Sequence, residues 1–415
     1  MKQKLGILTL GCPRNLVDSE ALAGRLNFKG YSIVENMEEA DIALINTCAF
    51  IQEAKRESID AILDLIELKK QGRLKKLIVY GCLAQRYKNL RKQLPEVDAF
   101  VGSPELNHEL KRFALTPGHY AYLKICEGCV NNCSYCVIPK IKGTLKSLDE
   151  KTIIAKVRRF NKEKISELNI IGQDITGFGM DFSGKSGLAG ILKKIISNAP
   201  DIAWIRLLYL NPERVNTELL DLIAAEKQIC KYIDLPMQHI NNRILKLMNR
   251  RVNKDEIFAL INKIKKIIPE ITLRTSIIVG FPSETDKEFN ELLEFVKQIK
   301  FDRLGAFIYS REEDTPAYNF KGQVPEKIKQ ERFDIIMSAQ QKIAAELNSN
   351  FLGTIIPVLV EEKHGSGYAG RLQADAPEVD GSVFINTRKA LKIGKFARVK
   401  ITDTLEYDLV GEPVL

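Results

Sequence analysis

No apolar run in this chain is long enough to cross a bilayer, which excludes a helical membrane protein. No secretory leader is expected either. The opening MKQKLGILTLGCPRN is a short strand-like run with no long apolar stretch before a cleavage-type site, so the expected location is the cytosol. Compositional bias is absent: 45% hydrophobic and 28% charged residues are ordinary for a globular protein and exclude a disordered class. Cysteine is sparse, eight in 415 residues. In a reducing compartment those eight read as metal ligands rather than disulfides. The length allows two or three domains, each with its own core.

Half of those cysteines crowd into one short stretch, KICEGCVNNCSYCVIPK. Cys129, Cys133 and Cys136 have the spacing C-x3-C-x2-C. Three thiolates on one tight loop can hold three irons of a 4Fe-4S cluster, and a fourth would close it. The iron left without a protein ligand is an open position where a substrate or cofactor can bind. Cys126 extends the run to C-x2-C-x3-C-x2-C, which could instead be a closed four-thiolate zinc or ferredoxin-like site. That order differs from the bacterial ferredoxin run, and a zinc ribbon separates its pairs by a longer loop.

Residues 1–115 repeat a simple unit. KLGILTLGC ends at Cys12, DIALINTC at Cys48 and LKKLIVYGC at Cys82. Each is an apolar, β-rich run closing on a cysteine. Helical stretches follow at Ser19–Leu26, Gln52–Lys70 and Gln85–Gln93. The pattern predicts a βαβ parallel sheet whose strand ends share one edge, where ligands of open α/β sheets bind. Three cysteines would converge there as a second three-thiolate site. Buried small apolar residues are the alternative, but core cysteines would sit within strands.

A boundary at 117–120 introduces six strand candidates, Tyr122–Ile125, Leu168–Ile171, Trp204–Tyr209, Tyr232–Leu235, Thr272–Val279 and Leu304–Ile308. Helix-period segments separate them, including Glu150–Phe160, Asn242–Ile267 and Glu284–Gln298. Six β/α units make a partial barrel over 116–347, with functional loops at the strand C-terminal ends. The cysteine loop follows the first strand, as that rule requires. After a helical stretch at Glu326–Leu347, residues 348–415 read as a small antiparallel, OB-like β-barrel with runs at Ile355–Val360, Ser382–Ile385 and Ala397–Ile401.

The net charge is +9, which permits a polyanionic partner. Residues 351–415 hold eight Lys and Arg against nine Asp and Glu. The positive excess therefore lies outside the C-terminal segment.

The cysteine loop resembles the signature loop of radical S-adenosylmethionine (SAM) enzymes, and the three-part organisation resembles the methylthiotransferases among them, whose C-terminal barrel is a TRAM domain. The matching stretches are GCPRNLVDSE (11–20), WIRLLYLNPERV (204–215), KYIDLPMQHINNRILKLMNR (231–250), LRTSIIVGFPSET (273–285), FDRLGAFIYSREEDTPA (301–317) and GRLQADAPEVDG (370–381). The first, fifth and last point to the branch that adds a methylthio group to the β-carbon of an aspartate in the twelfth small-subunit ribosomal protein. The alternative is a tRNA adenosine methylthiotransferase. Lys142 and Lys146 stand where the family usually has arginines, and Ser283 and Asp314 where glycine is usual.

This resemblance implies two 4Fe-4S clusters. Cys129, Cys133 and Cys136 would bind the one whose open iron chelates SAM, and reduction would yield a 5′-deoxyadenosyl radical. Cys12, Cys48 and Cys82 would bind an auxiliary cluster that carries the sulfur. A flavodoxin- or ferredoxin-like reductant would supply electrons. Tyr135, Gln173 and Gly280 are the expected SAM contacts, with loop packing and turn geometry as their structural alternatives. No catalytic side chain beyond the clusters is assigned. His239 ends a strand near the site, Asp174 serves the site or caps a turn, and Cys126 and Cys230 are spare thiols. His108, His119 and His364 are expected in solvent.

The near-neutral C-terminal barrel suits a basic ribosomal protein better than RNA. Asp375, Glu378 and Asp380 are the candidate acidic patch, a solvated turn being their alternative. A non-catalytic, metal-stabilised RNA-binding module would explain neither cysteine triplet.

Overall fold

The computed structural model describes residues 2–104, 106 and 111–414; His108 lies outside them. The N-terminal sheet has five parallel strands, β1 (Lys4–Thr9), β2 (Ser32–Val34), β3 (Ile42–Thr47), β4 (Lys76–Gly81) and β5 (Ala99–Val101), in the order β2-β1-β3-β4-β5. β3 is buried along its whole length, as a continuous apolar run at the centre of a parallel sheet must be. The two edge strands were not expected, because three residues carry no readable period. The first helix, Pro13–Phe28, begins directly after Cys12 with proline at its first position. It therefore starts six residues before the stretch read from the sequence.

Next comes β6 (Tyr120–Lys124), followed by a two-stranded ribbon, β7 (Cys126–Glu127) and β8 (Lys146–Ser147), that closes the base of the cysteine loop. The barrel continues with β9 (Glu167–Ile171), β10 (Trp204–Leu207), β11 (Ile229–Asp234), β12 (Thr272–Val279) and β13 (Arg303–Ile308). These form a parallel six-stranded sheet in the order β13-β12-β11-β10-β9-β6. Alternate residues such as Leu123, Leu168, Ile205 and Ile233 join the helices in one apolar core. Their neighbours Tyr122, Glu167, Arg206 and Tyr232 face the other side of the sheet. The single helix expected over Asn242–Ile267 is two, Asn242–Leu247 and Lys254–Ile267. Asn249 breaks the run at φ +56°, and Asn253 with Glu256 caps the second helix reciprocally.

After the helix Glu326–Ser349, the chain ends in a closed barrel of β14 (Ile355–His364), β15 (Gly367–Arg371), β16 (Val383–Ile385), β17 (Phe396–Thr404) and β18 (Leu409–Pro413). Its pairings are antiparallel except β16 with β18.

This small barrel plugs the lower end of the large one with charge. Glu167 receives Arg206 Nε at 2.7 Å and also Arg371, while Arg371 Nη2 donates to Glu361 at 2.7 Å. Arg303 donates to Asp375 at 2.6 and 2.8 Å. Arg274 donates to Asp380 at 2.5 Å, and the Tyr120 and Tyr232 hydroxyls donate to Glu378 and Asp380 at 2.7 Å.

Two expectations fail here. His119 is not in solvent; it is buried against Glu361 at 3.0 Å. The 375–380 run is neither a free acidic patch nor a solvated turn. Asp375 and Asp380 are buried as counterions to arginines of the large barrel, since unpaired buried charge is costly. Turning Glu361, Asp375 and Asp380 inward changes the outer charge of the small barrel. Its exposed residues include seven Lys and Arg but five Asp and Glu. Barrel charge therefore does not separate protein from RNA as substrate. His364 is exposed beside Phe384, as expected.

Candidate metal centres

Cys12, Cys48 and Cys82 follow β1, β3 and β4 at one edge of the N-terminal sheet. Gly11 and Gly81 precede two of them with φ of +91° and +98°. A Cβ at Gly11 would stand 3.0 Å from Cys48 Sγ, and one at Gly81 would stand 2.3 Å from Asn46 Oδ1. Only glycine permits both the left-handed turn and the close approach. Asn15 clasps the three loops together. Its Nδ2 donates to Leu10 O at 2.9 Å and Thr47 O at 3.3 Å, and Cys82 Sγ donates to its Oδ1 at 3.8 Å. Ser58 Oγ holds Cys48 from both sides, accepting from its N–H at 3.0 Å and donating to its carbonyl at 2.8 Å. Arg86 fixes the Ala49 carbonyl at 2.9 Å and forms a buried ion pair of 2.7 Å with Glu312, beyond β13. Nothing in the local sequence marks Asn15, Ser58 or Arg86 for these roles, although Asn15 lies within GCPRNLVDSE.

The second triplet lies on the loop after β6. Asn131 donates to Cys129 Sγ from both its backbone N–H and Nδ2 at 3.4 Å. Ser134 anchors the loop on the helix Asn242–Leu247, through Leu247 O at 2.6 Å and Met248 O at 3.0 Å. Tyr135 packs with Ile244, Met248, Phe281 and Tyr309. Asp174 does cap the following turn, accepting from Thr176 N–H at 3.0 Å, and it also receives Asn131 Nδ2 at 2.8 Å and an ion pair from Arg214. Gly280, with φ +72°, donates its N–H to the Glu284 carboxylate. His239 is fully buried, its Nδ1 accepting from Asn241 N–H at 3.0 Å. Cys126 and Cys230 are buried; burial raises both thiols, Cys230 to about 12.

A buried charge cluster ties the two triplet-bearing segments together. Lys142 reaches Asp18 of the N-terminal domain at 3.5 Å and Glu127 of the cysteine loop at 3.2 Å. Lys124 pairs with both carboxylates, and Gln173 Nε2 donates to Glu127 at 2.9 Å. Burial opposes ionisation of Glu127, but Lys124 and Lys142 outweigh it and hold this carboxyl down at about 2. Asp18 is pushed up, by burial first and by the neighbouring Glu127 charge. Lys142 thus occupies the arginine position as a buried cation between sites, whereas Lys146 is exposed.

The donor sets fit iron–sulfur clusters. Each triplet is three thiols with N–H, hydroxyl or guanidinium groups directed at sulfur. Burial pushes Cys82 and Cys136 up to about 12 and raises Cys48 and Cys129. Cys12 alone is lowered: burial acts to raise it, but the Arg14 charge and N–H donors from Asn15 and Arg14 prevail. Among the described residues no three Cys, His, Asp or Glu side chains are grouped to hold a single metal ion. Beside the second triplet, Gln173 Oε1 is buried without a partner. An orphaned acceptor at the C-terminal end of β9 fits a ligand that brings a donor.

Comparison with known proteins agrees with this architecture. Residues 4–102 match the uncharacterised protein family UPF0004, 123–296 the radical SAM superfamily and 352–414 the TRAM domain. The chain is 44% identical to the ribosomal protein uS12 methylthiotransferase RimO of Clostridioides difficile, over 99% of this chain and 98% of that one. It is 42% identical to the protein of that name from Syntrophotalea carbinolica, over 100% and 97%. Among solved structures, the radical SAM methyltransferase TsrM of Kitasatospora setae, with cobalamin and a [4Fe-4S] cluster bound, superposes with a TM-score of 0.58. It has 11% identity and covers 85% of this chain and 79% of its own. That likeness concerns the fold.

Proposed function

The chain belongs to the RimO family of radical SAM methylthiotransferases, and from that premise we propose that it adds a methylthio group to the β-carbon of an aspartate in ribosomal protein uS12. The observation that supports this reading is that two cysteine triplets at strand ends lie on segments tied together by buried Lys142, which reaches Asp18 and Glu127. Cys129, Cys133 and Cys136 hold a 4Fe-4S cluster with SAM, and Cys12, Cys48 and Cys82 hold the auxiliary cluster. When bound, these groups supply radical chemistry and the sulfur, which no side chain here can provide.

The protein's own residues bind and orient. Gln173 offers its free Oε1 to SAM while its Nε2 stays fixed on Glu127. Gly280 lets the β12 end pass close to Lys329, where a Cβ would stand 2.3 Å from Lys329 Cγ, and the Tyr135 ring anchors the cysteine loop on Met248 and Phe281. Asp174, Asn131 and Arg214 lock the loop's position and help to exclude water. A flavodoxin- or ferredoxin-like protein is the reductant, and the enzyme works in the cytoplasm. Among the described residues no helix is long and apolar enough to cross a membrane.

Iron analysis tests the assignment. Anaerobically reconstituted protein should hold about eight irons. Replacing Cys129, Cys133 and Cys136 with Ala should leave about half the iron and abolish SAM cleavage. The Cys12, Cys48 and Cys82 triple alanine variant should also keep half, forming 5′-deoxyadenosine but no methylthiolated product. Zinc in place of iron, or full product from the second variant, would overturn it.

A further inference from the structure

Arg14 stands between the two triplets and touches parts of both sites. Its Nε donates to Cys12 Sγ at 3.4 Å, and its Nη1 donates to the Gly172 carbonyl at 2.9 Å. Gly172 precedes Gln173 at the end of β9. The guanidinium lies 4.5 Å from the centre of the Tyr209 ring, and its charge is also felt at Cys136. One planar fork therefore joins a ligand of the N-terminal triplet to the strand end beside the other.

The platform under Arg14 is itself constrained. Tyr209 has φ +65°, a left-handed conformation that needs outside support in a bulky residue. That support is Asp234, whose Oδ2 accepts the Tyr209 N–H at 3.0 Å. Arg274 lies 3.7 Å from Asp234 and 2.5 Å from Asp380 of the small barrel. The three parts of the molecule thus meet in the placement of one arginine.

We propose that Arg14 is a positioning residue that sets the reduction potential of the N-terminal cluster and fixes that cluster against the Gly172-Gln173 strand end. This rests on the reading that Cys12, Cys48 and Cys82 hold a cluster. A cation donating a hydrogen bond to a ligand sulfur stabilises the more negative, reduced state. The fork, by holding Cys12 Sγ and Gly172 O at once, sets the spacing between the sites. Lysine can supply the charge but not both fixed donors, so two variants separate the two roles.

The experiment is a redox titration followed by electron paramagnetic resonance in the Cys129, Cys133, Cys136 triple alanine background, where the remaining iron is the N-terminal cluster. Arg14→Met should shift the potential negative, and Arg14→Lys should recover most of that shift. With all cysteines restored, both variants should give about 10–100-fold less methylthio product per SAM consumed. Equal potentials for Arg14, Met and Lys at equal iron content would overturn the proposal. So would wild-type product per SAM from Arg14→Lys, and that criterion decides if Arg14→Met does not load iron. A triple alanine background that binds no iron would instead overturn the reading of the N-terminal triplet.

Discussion

Asn15 carries more of the N-terminal site than its size suggests. One amide ties the Leu10, Thr47 and Cys82 loops, and it is almost fully buried. Asn15→Ala should leave two carbonyls without their donor, at about 1–3 kcal/mol, and should lower iron content towards the half-loaded level. Chemical denaturation and iron analysis check both. A fully loaded variant of unchanged stability would remove Asn15 from the account. Ser283 and Asp314 show the opposite case. They stand where glycine is usual in the family and adopt φ of +65° and +66°, so the local strain explains why glycine suits those positions. Asp314 is exposed. Asp314→Gly should relieve about 1–2 kcal/mol of left-handed strain against about 0.5–1 kcal/mol of glycine entropy. A small rise in melting temperature is expected, and a fall would show the strain to be compensated elsewhere.

At the scale of elements, the sequence was most readable where a long apolar run ended on a cysteine. β1, β3 and β4 lie where KLGILT, IALINT and KLIVYG place them, and each cysteine follows its strand. The barrel strands were legible for the same reason, and their β/α alternation gave the parallel order. Short elements were not: β2 and β5 have three residues each. Tertiary pairing was hidden as well. Nothing local marks Arg86 for Glu312, or Lys124 for Asp18 across 106 positions. The acidic 375–380 run misled because composition reports charge but not the side on which it is spent. Two of its carboxylates are balanced by Arg274 and Arg303, more than seventy residues away.

At the scale of the whole molecule, the small barrel is bound to the large one through buried charge, and acid should loosen it. Burial acts to raise Glu167 and Glu361, yet their arginine partners, with His119 at Glu361, hold both below the ordinary 4.5. Folded values below the unfolded ones mean that this stabilisation is complete above about pH 4.5 and is lost as pH falls through the folded values. Limited proteolysis near residue 350 should therefore rise below pH 4.5. Unchanged cleavage down to global unfolding would contradict the interface reading. Glu167→Ala, which strands Arg206 and leaves Arg371 with Glu361 as its one carboxylate, should cost about 3–5 kcal/mol at neutral pH, measurable by urea unfolding.

The substrate of the paired sites is the central question. The most direct measurement is mass spectrometry of uS12 and of tRNA nucleosides from cells with and without this gene. The prediction is a methylthio increment on one uS12 aspartate that disappears with the gene and returns with wild-type protein but not with the Cys12, Cys48 and Cys82 triple alanine variant. An unmodified uS12 together with a methylthioadenosine that depends on the gene would contradict it and establish the tRNA reading.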